Sequence, residues 1–94
     1  MEARTWNFQY WLGLTEPDAL KVLLEGFLRD AGFVILKFVE NGFPNGGWTG
    51  IWLLAESHLA VHTFPEHGQS YIELTSCVKG KFDRFVQEFL LTNG

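Results

Sequence analysis

Large apolar residues alternate with polar ones over residues 6–12, Trp-Asn-Phe-Gln-Tyr-Trp-Leu, which predicts a first strand. The period then changes. Leu20, Leu23, Leu24, Phe27 and Leu28 recur at helical spacing, and Thr15-Glu-Pro-Asp18 signals the start of that helix. Thr15 is the expected cap, Pro17 fits the first turn, and Asp18 complements the dipole and closes a capping box. Gly32 is expected to end the helix. Phe33–Val39, a β-branched and aromatic run, reads as a second strand. Asn41–Gly47 reads as a loop; with no Lys-Ser/Thr and no helix signal after it, it is not a phosphate loop. Trp48–Leu54 and His58–Phe64 are the next strands, Pro65–Gln69 turns the chain, and Tyr71–Cys77 is another strand. Gly80 is expected to precede a final helix with Phe82, Phe85, Val86, Phe89 and Leu90 on one face.

Period two then assigns faces. Leu59, Val61 and Thr63 oppose His58, Ala60, His62 and Phe64. Ile72 and Leu74 oppose Tyr71, Glu73, Thr75 and Cys77, and Ile51 and Leu53 oppose Trp48, Gly50, Trp52 and Leu54. One face is expected to be plainly aliphatic and to take two helices. The other, carrying Trp, His, Tyr, Glu and Cys, is left for water, a partner or a substrate. The expected architecture is α+β: a two-layer sandwich, an antiparallel sheet with two helices packed on one face, as a single domain over 1–94.

Composition narrows the function. The formal net charge is −4 and there is no Lys/Arg run, so a nucleic-acid partner is not expected. Sixteen per cent of the chain is aromatic, more than a small monomer readily hides, so a homodimer interface is expected. The single cysteine cannot form an internal disulfide, which fits a cytoplasmic protein. No apolar run approaches the roughly 20 residues that span a bilayer, and the N-terminus does not read as a signal peptide.

Residues 55–66, Ala-Glu-Ser-His-Leu-Ala-Val-His-Thr-Phe-Pro-Glu, hold the candidate chemistry. Ser57 is expected at a tight bend, where a strained peptide brings its Oγ to the Glu56 carbonyl. Read blandly, it is a turn serine. His62 is expected on an adjacent strand as a base. His58, His62 and His67 are not expected to bind metal, because 58 and 62 share a strand and no second cysteine completes a set.

Leu53-Leu-Ala-Glu-Ser-His-Leu-Ala-Val-His-Thr-Phe-Pro-Glu-His-Gly68 resembles the self-processing segment of the prokaryotic S-adenosylmethionine decarboxylases. Cys77, twenty residues past Ser57, and the loop Phe43-Pro-Asn-Gly-Gly-Trp-Thr-Gly50 resemble further parts of the family pattern. The resemblance implies cleavage between Glu56 and Ser57, giving a β chain, 1–56, and an α chain, 57–94. Ser57 would attack the Glu56 carbonyl, His62 would remove the Ser57 α-proton, and Ser57 would become a pyruvoyl cofactor. That group would form a Schiff base with the substrate amine, and Cys77 would return a proton to the substrate carbon. Phe43 would stack on adenine, Glu66 would hold the ribose and Phe64 would line the pocket. The implied activity makes decarboxylated S-adenosylmethionine for spermidine synthesis.

The chain departs from the family pattern at Val78, usually glycine, at Ser70-Tyr-Ile-Glu73, usually small residues before an Asp, and in lacking a strand after the last helix. These departures keep two alternatives open: a pyruvoyl-dependent decarboxylase of arginine or ornithine, and an unprocessed relative with a binding or regulatory role.

Overall fold

The computed structural model describes residues 3–94. Strands β1 (Trp6–Leu12), β2 (Ile35–Gly42), β3 (Trp48–Leu54), β4 (Ser57–Phe64) and β5 (Gln69–Ser76) form one sheet in the order β1-β5-β4-β3-β2. Every neighbouring pair is antiparallel. Helices α1 (Pro17–Asp30) and α2 (Lys79–Asn93) pack on one face, so the two-layer α+β expectation holds.

The core is a single cluster. Leu20, Leu24 and Leu28 of α1 and Phe85 and Phe89 of α2 are fully buried against Trp52, Leu59, Val61, Ile72 and Leu74 of the sheet. Each such side chain contributes about 1.5–3 kcal/mol of hydrophobic stabilisation relative to exposure. In β4 and β5 the aliphatic residues that alternation assigned, Leu59, Val61, Ile72 and Leu74, are buried, and Ser57, Thr63, Ser70 and Ser76 are buried on the same face. In β3 the expected phase is reversed: Trp48, Trp52 and Leu54 are buried, while Ile51 and Leu53 are exposed. Pairing fixes this, because Trp52 lies opposite Leu59 and Gly50 opposite Val61, on the face of the helices. Both indoles are satisfied there: Trp52 Nε1 donates to Glu25 at 2.9 Å and Trp48 Nε1 to Glu40 at 2.9 Å. Gly50 makes room, since a Cβ there would lie 2.8 Å from the Trp48 ring.

The ends of elements moved for local reasons. Glu16, not Thr15, caps α1, its carboxylate accepting from the Ala19 N–H at 2.7 Å. Pro17 occupies the first helical position, so the cap falls on the residue before it, and Asp18 closes no capping box. Gly32 does terminate the helix, at φ +92° and one position beyond the cap residue Ala31. Its N–H donates to Arg29 O and the Phe33 N–H to Leu28 O, a Schellman closure. That closure uses Phe33, so β2 starts at Ile35, and pairing with β3 carries it through Asn41 and Gly42, two residues expected in the loop. Gly80 lies inside the first turn of α2 rather than ahead of it.

Candidate functional site

Residues Ala55 and Glu56 form the two-residue turn between β3 and β4, closed by the Leu54–Ser57 pair. Glu56 has φ +61°, the only non-glycine positive φ among the described residues. A side chain in that region costs about 1–2 kcal/mol, so the expected strained bend exists and sits on the residue before Ser57. The Glu56 carbonyl oxygen accepts two donors from Cys77: the thiol at 3.0 Å and the backbone N–H at 3.4 Å. Together they polarise the carbonyl and can stabilise negative charge developing on its oxygen.

Ser57 is buried, and its Oγ donates to Ser76 Oγ at 2.7 Å. Ser57 and Ser76 face each other directly across β4 and β5, on the helix side of the sheet. Glu56, Ser57, Ser76 and Cys77 thus gather at one end of β4.

His62 is elsewhere, which corrects the expectation of a base on a strand adjacent to Ser57. The two residues share β4, with Ser57 on the helix side and His62 on the open side. Five residues of extended chain separate them by about 17 Å. Thr49 lies directly opposite His62 on β3, and Thr49 Oγ1 and His62 Nδ1 share a hydrogen bond of 2.9 Å.

Phe43, Phe64 and Glu66 join His62. With Asn45, Gly47, Trp48, Thr49 and Thr63 they line a cleft of about 300 Å³ at the far end of β4. The β2–β3 loop places Phe43 through its N–H, which donates to Gly47 O at 2.8 Å, while Gly46 takes the left-handed position at φ +91°. The Trp48 N–H donates to Thr63 Oγ1 at 2.8 Å and ties the loop to β4. Glu66 is carried on a short 3₁₀ turn, Pro65–His67.

Beneath the cleft, the side chain of Glu40 on β2 is held by Lys21 Nζ of α1 at 2.8 Å as well as by the Trp48 indole. Hydrogen bonding from Lys21, then from Trp48, draws the Glu40 carboxyl below its ordinary value, and Glu40 in turn raises the Lys21 ammonium. Lys21 Nζ also lies over the Phe38 and Trp48 rings, so one cation fixes three groups behind the Phe43 loop.

Beside the cleft the open face is aromatic. Trp11 lies 5.8 Å from Phe64 and 5.2 Å from Tyr71, ring centre to ring centre. The Tyr71 hydroxyl is raised, first by burial and then by the neighbouring Glu73 carboxylate. Glu73 also accepts from Asn7 and Gln9 of β1. His58 is exposed on the open face and His67 lies in the 3₁₀ turn, neither in the cleft lining. Among the described residues no three of His, Cys, Asp and Glu gather to hold a metal.

The sequence-predicted residues therefore fall into two clusters, Glu56, Ser57 and Cys77 at one end of β4, and Phe43, His62, Phe64 and Glu66 at the other. Thr49 and Ser76 were missed. Counting back from a two-residue turn at 55–56 puts Thr49 opposite His62, but the turn's length had to be known first.

A model of the S-adenosylmethionine decarboxylase family matches residues 12–91. A relative named S-adenosylmethionine decarboxylase proenzyme, from Prochlorococcus marinus, is 38% identical over 74 residues, covering 70% of this chain and 59% of the relative. A relative of the same name from Pyrobaculum arsenaticum is 33% identical over 81 residues, covering 80% of this chain and 65% of the relative. The chain thus spans less than two thirds of the length of either. The crystal structure of the Aquifex aeolicus adenosylmethionine decarboxylase superposes with a TM-score of 0.69, over 93% of this chain and 81% of that one. At 22% identity that likeness shows the fold.

Proposed function

The chain belongs to the S-adenosylmethionine decarboxylase family, and on that premise we propose that it is a proenzyme that cuts its own backbone between Glu56 and Ser57 and then decarboxylates S-adenosylmethionine. The observation that carries this reading is the Glu56 carbonyl, which stands in a left-handed turn and accepts both donors of Cys77. An amide carbon so polarised, next to a serine, suits an N→O acyl shift. The Ser57 Oγ–C bond forms, the C–N bond breaks, and the hydroxyl proton ends on the freed amine. β-Elimination across Ser57 then releases the chain ending at Glu56.

A pyruvoyl group at 57 would supply an electron sink for the loss of CO₂. The residues present fit its formation, since the strained peptide and its polarising donors sit at the serine that would generate it. Cys77, with its thiol already at this end of β4, would hold the proton delivered to the substrate carbon. At the other end the cleft suits a nucleoside. Phe43 and Phe64 offer ring faces, and the exposed Glu66 offers a carboxylate to ribose hydroxyls.

The two clusters cannot act together within one chain. A two-fold pairing of open faces, with β4 running antiparallel to its copy, sets the cleavage end of one copy beside the His62 cleft of the other. Trp11, Ile51, Leu53 and Phe64 are exposed large hydrophobics on that face and suit such an interface. We therefore read the functional unit as a homodimer in which His62 serves the partner's Ser57.

Intact-mass measurement of the purified chain over time tests the reading. Two fragments meeting at 56/57, the second blocked by pyruvate, are expected, and Ser57→Ala is expected to stay whole. Release of CO₂ from S-adenosylmethionine and not from arginine is expected of the cut protein. An uncut wild-type chain, or turnover of arginine alone, refutes it. Co-expressing Ser57→Ala with His62→Ala tests the shared site: cleavage of the His62→Ala chain should return, and failure to do so rejects the pairing.

A further inference from the structure

Ser76 has no part in the chemistry described so far, yet it makes the hydrogen bond to the nucleophile. It is 1% exposed, lies opposite Ser57, and accepts the Ser57 hydroxyl proton in a 2.7 Å bond. Its own oxygen is fixed from the other side. The Val78 N–H donates to it at 2.9 Å, and the Ser76 hydroxyl points back to Val78 O at 3.5 Å. Both lone pairs of Ser76 Oγ are therefore used, one by Val78 and one by Ser57.

We propose that Ser76 is a positioning residue for self-cleavage, holding the Ser57 hydroxyl so that its lone pairs are free for the Glu56 carbon. The argument rests on the self-processing reading above. A serine hydroxyl can donate one hydrogen bond and accept two. Without Ser76 the Ser57 O–H is free to rotate toward the Glu56 carbonyl oxygen and spend its proton there, which leaves the attacking lone pairs misdirected. With Ser76 the proton is committed to the Ser76 oxygen, and Cys77 serves the carbonyl oxygen. One short segment, residues 76–78, thus orients both reaction partners. Ser76 sets the nucleophile, Cys77 polarises the electrophile, and the Val78 N–H anchors Ser76 as the chain turns into α2. The acyl shift itself needs no proton acceptor from Ser76, because the Ser57 proton is transferred to the Ser57 nitrogen.

A purely structural role is the competing account, since a serine accepting from the N–H two residues on is a common turn motif. The test uses Ser76→Ala together with the pair Ser76→Thr and Ser76→Val, which differ from each other only in the hydroxyl. Each full chain is followed by intact mass, with and without hydroxylamine, which cuts an ester at 57 but not an amide, and its Tm is measured. Expected results are that wild type cleaves, that Ala and Val cleave roughly tenfold slower, the rate equivalent of one lost hydrogen bond, and that Thr cleaves near the wild-type rate. The uncut Ala and Val chains should resist hydroxylamine, because ester formation is the slowed step and the ester does not accumulate. If Ala or Val fails to fold, the remaining hydroxyl-free variant against wild type decides. The proposal is overturned if hydroxyl-free variants keep pace, if they accumulate a hydroxylamine-sensitive ester, or if Thr is as slow as Val at equal Tm. A wild-type chain that never cleaves overturns the self-processing reading and takes this proposal with it. Normal wild-type cleavage beside an unslowed Ala variant overturns Ser76 alone.

Discussion

Replacing Glu56 with glycine should make the uncut protein more stable and slower to cut itself. Glu56 holds φ +61°, which costs a side-chain-bearing residue about 1–2 kcal/mol and glycine nothing comparable. Glycine gives back about 0.4–1 kcal/mol through its freer unfolded chain. The Glu56 side chain is exposed, so its loss removes little packing. The net gain is about 0.5–1 kcal/mol, a rise in Tm of roughly 2–8 °C for a domain of this size. It is best measured by thermal unfolding in the Ser57→Ala background, where the chain stays whole. The same substitution should slow the acyl shift. The left-handed peptide is the one proposed to break, so its strain would be released along that reaction. Removing about 1–2 kcal/mol of that strain slows cleavage roughly five- to thirtyfold, followed by intact mass of the Ser57-containing chain. A Glu56→Gly protein that melts no higher and cuts itself at the wild-type rate would refute the argument that this turn is strained in a way the reaction uses.

Three further outcomes are expected. Thr49→Val keeps the shape at 49 and removes the partner of His62 Nδ1. Processing or decarboxylation should fall roughly tenfold with Tm little changed, and an unaltered pH–rate profile and rate would take Thr49 out of the site. Gly50→Ala puts a Cβ 2.8 Å from the Trp48 ring and 3.1 Å from Phe38. Urea unfolding in the Ser57→Ala background should show a loss of about 1–3 kcal/mol, and no loss would mean that the indole moves freely. Glu40→Gln tests the ion pair behind the cleft. A carboxyl drawn below its ordinary value of 4.5 stabilises the fold above that pH and loses its contribution as pH falls through the lowered folded value. A raised lysine contributes fully below 10.5 and loses its contribution as pH rises through its folded value. Unfolding of Glu40→Gln against its parent should show a deficit at neutral pH that closes on acidification below 4.5. A deficit that persists in acid would assign the effect to packing.

Alternation along β1, β4 and β5, helical spacing in α1 and α2, and the Pro17 and Gly32 signals depend on neighbours in sequence, and they fixed the element order and the two-layer class. The run from Glu56 to Glu66, with Cys77 and Phe43, held the candidate chemistry, because residue type and spacing are what a motif records. The phase of β3 was not legible. Its strand offers large apolar residues on both faces, Trp48 and Trp52 on one and Ile51 and Leu53 on the other. Only pairing with Leu59 and Val61, and the carboxylates of Glu25 and Glu40 waiting for the indole N–H groups, decided which went inside.

Tertiary structure also decided which site residues meet. Ser57 and His62 were expected on adjacent strands as nucleophile and base, yet they share β4, where extended backbone turns five residues into distance and opposite faces. The contacts at each end of β4 come from across the sheet instead, Ser76 and Cys77 from β5 and the residue after it, and Thr49 from β3. A sequence names the groups able to do chemistry because their reactivity is local. Which of them lie within hydrogen-bonding reach is set by strand pairing between residues far apart in the chain.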